Sequence, residues 1–155
     1  MNFLLAFKKN LSPKYLIFII FFSQIACQKK INNSSVDKPN STLQNTYWKI
    51  LQIGDHKIQQ LENQRELHFI LDLDSDVVRG HSGCNTFNGK YALSGSKGIE
   101  FSKMISTRMY CPDYNGEPLW FDFIEGPLSY EIKGDDLILV NKNKTKAKCQ
   151  AVYLK

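Results

Sequence analysis

The 155-residue chain has only three histidines, His56, His68 and His81, and four cysteines, Cys27, Cys84, Cys111 and Cys149. They form neither a C-x-x-C nor an H-x-x-x-H pairing, whereas a zinc site needs three or four convergent ligands. The segment "HSGC" puts His81 three residues before Cys84, and a solvent-facing His81 is the expectation there. A cysteine nucleophile needs a base beside it. His81 is the one sequence neighbour, and on a strand residues 81 and 84 face opposite sides. "DLDSD" (72–76) lacks the calcium-loop glycine, with Val77 in its place, and the closing acid, with Gly83 in its place. The EF-hand pattern therefore fails, and an acidic hairpin tip is expected. Together these absences predict no metal, no cofactor and no enzyme activity.

Strong charge and a membrane-length apolar run are also missing. Lys8, Lys9 and Lys14 precede the apolar stretch Tyr15–Phe22, "YLIFIIFF". Extended to Ala26, that stretch has the length of a signal-peptide core and is too short to span a bilayer comfortably. Residues 1–26 read as a signal peptide. The run ends in "FSQIAC", with Ala26 before Cys27, and this resembles the lipobox of bacterial lipoproteins, with Gln24 where that pattern usually carries an aliphatic residue. The resemblance implies cleavage before Cys27 and acylation of that cysteine, each buried methylene adding about 0.8 kcal/mol of membrane affinity. An ordinary signal peptide, or an uncleaved anchor, is the alternative. Residues 27–42 supply the lipid-attachment cysteine and a flexible polar linker, whose fifteen residues "QKKINNSSVDKPNST" reach roughly 20 Å. No Asp follows Cys27, so the expected location is the outer membrane, facing the periplasm. The formal charge of +5 less the three leader lysines leaves +2, which indicates no nucleic-acid partner.

From Leu43 onward the pattern has period two. In "RELHFILDLD" Leu67, Phe69, Leu71 and Leu73 share a face. "YWKILQI", "VVRGHS", "GKYALS", "IEFSKMIS", "LSYEIK", "DLILVN" and "KCQAVYL" complete the strand candidates, separated by Gly, Asn, Asp and Ser clusters that suit turns. "NGEPLWFDFIEGPL" differs: Leu119, Trp120, Phe123, Ile124 and Leu128 fall near helical spacing, with Glu117 and Pro118 in the first turn and Gly126-Pro127 as the stop. The fold class is mainly β, a small antiparallel barrel or strongly coiled sheet of about eight strands with one short α-helix. Trp48, Phe69, Phe87, Tyr91, Phe101, Trp120 and Phe123 are core candidates that could also line a ligand cavity.

"TYWKILQI" (46–53), "VRGHSGCNTFNGKY" (78–91), "ISTRMYC" (105–111) and "YEIKGDDLIL" (130–139), in that order, resemble the META domain family, represented by the HslJ-like heat-shock proteins. The resemblance covers residues 43–155. It implies a lipocalin-like topology with a helix, frequently on an envelope lipoprotein, and no agreed reaction. The family pattern contains Cys84 and Cys111, which implies a disulfide between them in an exported chain, with Cys149 a buried free thiol; a Cys149 pairing with either is the alternative. On this reading the protein is a monomeric, non-catalytic envelope lipoprotein. It is held to the membrane through Cys27 and acts in heat or envelope stress tolerance by recognising an envelope protein or component. Two other classes stay open: a binder or sensor of small apolar molecules in the barrel interior, and a protease-inhibitor-like module.

Overall fold

In a computed structural model of the protein, residues 41–153 are described, apart from 61, 63 and 113. The strands are β1 (Tyr47–Ile53), β2 (His56–Lys57), β3 (Leu67–Leu71), β4 (Val77–Ser82), β5 (Thr86–Ser94) and β6 (Gly98–Ser106). After helix α1 (Gly116–Phe123) come β7 (Pro127–Lys133), β8 (Asp136–Val140) and β9 (Lys146–Val152). From β3 to β9 each strand pairs antiparallel with its successor. β1 lies between β3 and β9, so the sheet closes into a ring. Closure satisfies the edge groups that an open sheet would leave unpaired. The sequence expectation of about eight strands omits β2, whose two residues pair with the end of β1 and are both exposed, leaving no apolar signal to read.

Alternation places the core inside the ring. In β9 the inward residues are Ala147, Cys149 and Ala151, and in β8 they are Leu137 and Leu139. Leu67, Phe69 and Leu71 are each no more than 1% exposed; burying such side chains is worth about 1.5–3 kcal/mol apiece. Leu73 departs from the expected face and is 59% exposed, because β3 ends at Leu71 and the chain turns. There the Asp72 carboxylate accepts the Asp74 N–H at 3.2 Å, an Asx-type contact that ends the strand. "DLDSD" is thus the β3–β4 turn, its Asp72 paired with Arg79 at 3.4 Å and its Asp76 with Lys90.

The helix closes the ring from within. Its buried residues Gly116, Trp120 and Phe123 recur at the helical spacing that makes one face. Trp120 is fully buried, with ring centroids 5.5 Å from Phe69, 6.0 Å from Phe101, 6.2 Å from Phe123 and 6.4 Å from Phe87. All the aromatic core candidates are buried, so the interior that could have been a cavity is occupied by side chains. Gly126, with φ +80°, turns the chain from the helix into β7, a conformation that glycine adopts without strain.

Register fixes which ends of the strands lie together. Ser41 meets the β7–β8 turn through its N–H to the Gly134 carbonyl at 3.3 Å and its hydroxyl to Asp135 at 3.2 Å. The β4–β5 turn, the end of β6 and the start of α1 lie at the opposite end of the ring.

Candidate functional site

The motif "SGCNTFNG" forms the β4–β5 corner at that far end. Ser82 donates its N–H to the Asn85 carbonyl at 2.7 Å and accepts the Asn85 N–H on its hydroxyl at 2.9 Å, which closes the turn around Gly83 and Cys84. The same hydroxyl is within reach of the Asn85 carbonyl at 3.0 Å and of the Glu117 carboxylate on the first turn of α1.

Asn85 organises the corner, although it is only 3% exposed. Its Oδ1 accepts the Met109 N–H at 2.7 Å and the Thr107 hydroxyl at 2.8 Å. Its Nδ2 donates to the Met109 carbonyl at 3.3 Å and to Glu117 at 3.2 Å. A buried amide in this arrangement is satisfied on both sides, the condition under which a buried polar group stabilises rather than penalises. Cys84 and Cys111, 27 residues apart, are joined as a disulfide with their Cα atoms 6.1 Å apart. The segment from Thr107 to Cys111 is therefore held by the Asn85 amide and by the disulfide. Its outward side chains are among the most exposed large apolar groups described: Met109 at 60% and Tyr110 at 89%, with Ile105 just before them at 63%.

Tyr114 fills the space beneath the corner and explains two glycines. A Cβ on Gly83 or on Gly116 would lie 2.2 Å from the Tyr114 phenol group, far inside contact distance, and Gly83 also has φ +93°, a region that side-chain-bearing residues avoid. The Tyr114 hydroxyl is buried with no hydrogen-bond partner, and burial together with the Glu117 charge pushes its pKa up to about 12.

His81 corrects the sequence expectation. It is 8% exposed rather than solvent-facing, because alternation breaks at the end of β4, where His81 and Ser82 are both buried. The Gly83 N–H donates to its Nδ1 at 3.0 Å, and its ring lies parallel to His68 at 6.4 Å, which in turn stacks on Tyr47 at 4.1 Å. Burial lowers the pKa of both histidines. The charge of His68 lowers His81 further, and for His68 burial outweighs the opposing contacts with Glu66. Burial also works against the Glu66 carboxylate, but hydrogen bonds from Lys49 and Tyr47 outweigh it and hold that pKa down.

These shifts give a signed pH dependence. A histidine whose folded pKa is depressed contributes its full stability above its unfolded pKa, near 6.5, and loses it as pH falls through the folded value. Glu66 acts only below its unfolded value, near 4.5. Urea midpoints should therefore fall from about pH 7.5 to about pH 5, and the fall should shrink in His81→Asn, which keeps an acceptor for Gly83 but cannot titrate. An equal fall in that variant would remove His81 from the account.

Chemically, the corner fastens. Cys84 is occupied in the disulfide, and Cys149, the free cysteine described, is 2% exposed with its thiol pKa raised by burial, the opposite of what a nucleophile needs. Among the described residues no three His, Cys, Asp or Glu side chains converge as metal ligands. Cys27 lies outside the described residues. The roles of Asn85 and Tyr114 were missed from sequence, and Glu117 was read only as a first-turn acid. The one available signal was the Asn that follows Cys84.

One family model, that of the META domain, matches residues 41–152, a span that holds the corner, all nine strands and the helix. The chain belongs to the META domain family. Among solved structures, the META domain described here resembles an NMR structure of a protein from Burkholderia xenovorans at 19% identity and TM-score 0.59, covering 72% of this chain and 85% of that one. A second NMR structure matches at 16% identity and TM-score 0.55, covering 68% of this chain and 89% of that one. Both likenesses concern the fold alone. No curated protein matches the chain.

Proposed function

We propose that this META-domain protein is a non-catalytic, lipid-tethered envelope protein, monomeric and held at the outer membrane on its periplasmic side. On this reading it recognises a protein or an envelope component and supports tolerance of heat or envelope stress. The observation that carries the reading is the Cys84–Cys111 disulfide inside the family motif. Such a bond persists in oxidising compartments and is rare in the cytosol, in keeping with a signal peptide over residues 1–26 that ends just before Cys27. The polar groups that a reaction would need, Asn85, Ser82 and Glu117, hydrogen-bond to one another and to the backbone of the held segment. That is an arrangement for presenting a surface. The ring interior, occupied by Trp120 and its neighbours, leaves binding of small apolar molecules there without a supporting observation.

The reading is tested at Cys27. Full-length protein should fractionate with membranes and carry acyl groups on Cys27 by mass spectrometry, and Cys27→Ser should lose the acylation and release the cleaved protein. Wild-type protein already in the soluble fraction, or an unmodified Cys27 at the mature N-terminus, would sink the anchor.

A further inference from the structure

The segment between Thr107 and Cys111 has the attributes of a bound substrate before any enzyme is present. Residues 107–110 follow directly on β6, which ends at Ser106, with no left-handed backbone among them. Arg108, Met109 and Tyr110 are all exposed, and Tyr110, at 89%, is the most exposed large apolar side chain described. Asn85 takes both main-chain groups of Met109 from behind, its N–H at 2.7 Å and its carbonyl at 3.3 Å. Those of Met109 are taken by Asn85, while the main-chain groups of Arg108 and Tyr110 have no hydrogen bond among the described residues. The Thr107 N–H is bonded to the Thr86 carbonyl at 3.0 Å and Cys111 is fixed to Cys84, so both ends are fastened to the ring. The whole segment sits at the end of the ring remote from Ser41, where the chain enters the domain.

We propose that this segment is an inhibitory loop for a serine protease with a deep apolar pocket, entering the cleft as an extended strand with Tyr110 in the specificity pocket. Such a cleft pairs with the main chain of the pocket residue and of the residue two before it, which are Tyr110 and Arg108, the two whose main-chain groups are left unbonded. Strand addition of this kind takes affinity from main-chain hydrogen bonds and specificity from alternate side chains. A loop already held in the bound shape avoids the ordering cost that weakens flexible peptides. The disulfide and Asn85 also hold both sides of the Tyr110–Cys111 peptide bond. Hydrolysis there, adding one water across the bond, would leave the two new ends in place rather than releasing product. The proposal deepens the recognition reading above by naming the recognised surface as a protease cleft, and it rests on that reading.

The full-length protein, solubilised in detergent, can be assayed directly against chymotrypsin and trypsin. Wild type should inhibit chymotrypsin at near-stoichiometric amounts while remaining largely uncleaved. Tyr110→Gly should weaken inhibition by about a hundredfold, as hot-spot truncations do, and Tyr110→Arg should transfer inhibition to trypsin. Wild type that leaves chymotrypsin fully active, that is cleaved as an ordinary substrate, or that inhibits equally well as Tyr110→Gly would overturn the proposal. The anchoring result at Cys27 is unaffected by any of these outcomes, so the two readings fail separately.

Discussion

Trp120→Ala should lower the stability of the domain by about 3–5 kcal/mol, measured as a fall in urea midpoint with an unchanged slope. The indole touches Phe69, Phe87, Phe101 and Phe123 at once. Its removal leaves a void among rigid aromatic neighbours that cannot collapse into it, the situation in which large-to-small changes are most damaging. Typical domains have only about 5–15 kcal/mol in total, so this one substitution brings the fold near its limit. Trp120→Phe should be far milder. The indole N–H is buried without a hydrogen-bond partner, and phenylalanine removes that unsatisfied donor while keeping most of the ring contacts. Similar losses for both variants would mean that the indole is not the plug described here.

Loss of the disulfide should have the next largest effect. A closed loop of 27 residues corresponds to about 3.5 kcal/mol on the chain-entropy estimate. The double variant Cys84→Ser, Cys111→Ser should show a loss of that order by denaturation. The consequence should be uneven: beyond the common loss that follows the fall in global stability, amide exchange should accelerate most from Met109 to Cys111, and more there than in the β8–β9 pairing. The bonds from Asn85 to Thr107 and Met109 remain in the variant, so the stretch loosens from its Cys111 end. Uniform loss of protection across the ring would show that the disulfide supports the core and not the corner alone.

The fold was legible wherever side chains alternate against a single core. β3, β8 and β9 each place an unbroken series of apolar residues inside the ring, and the helix announced itself by the spacing of Trp120 and Phe123 between Pro118 and Gly126. Legibility failed where burial comes from polar contacts. His81 and Ser82 are consecutive buried residues at a strand end, which no period-two rule anticipates. Asn85 resembles any turn asparagine until Met109 and Thr107 are brought to it from more than 20 residues away. Tyr114 reads as an ordinary loop aromatic, and the two glycines it requires, Gly83 and Gly116, are separated by 33 positions. Local pattern specifies periodic burial; it does not specify a polar knot assembled from three separate elements.

The pairing of the first strand with the last has a consequence for biogenesis. Tyr47 lies opposite Val152 and Ile53 opposite Ala147, so the seam that completes the ring joins residues about as far apart in the chain as the domain permits. Contacts of such separation slow folding, because the loop they close must be gathered before it is rewarded. A chain that emerges from its N-terminus exposes β1 before the other strands of the ring and holds it without its β9 partner until β9 follows. Completion is thereby withheld until β9 has been made, and a product lacking β9 is left with an open, apolar-lined sheet, a form that quality-control proteases recognise and remove.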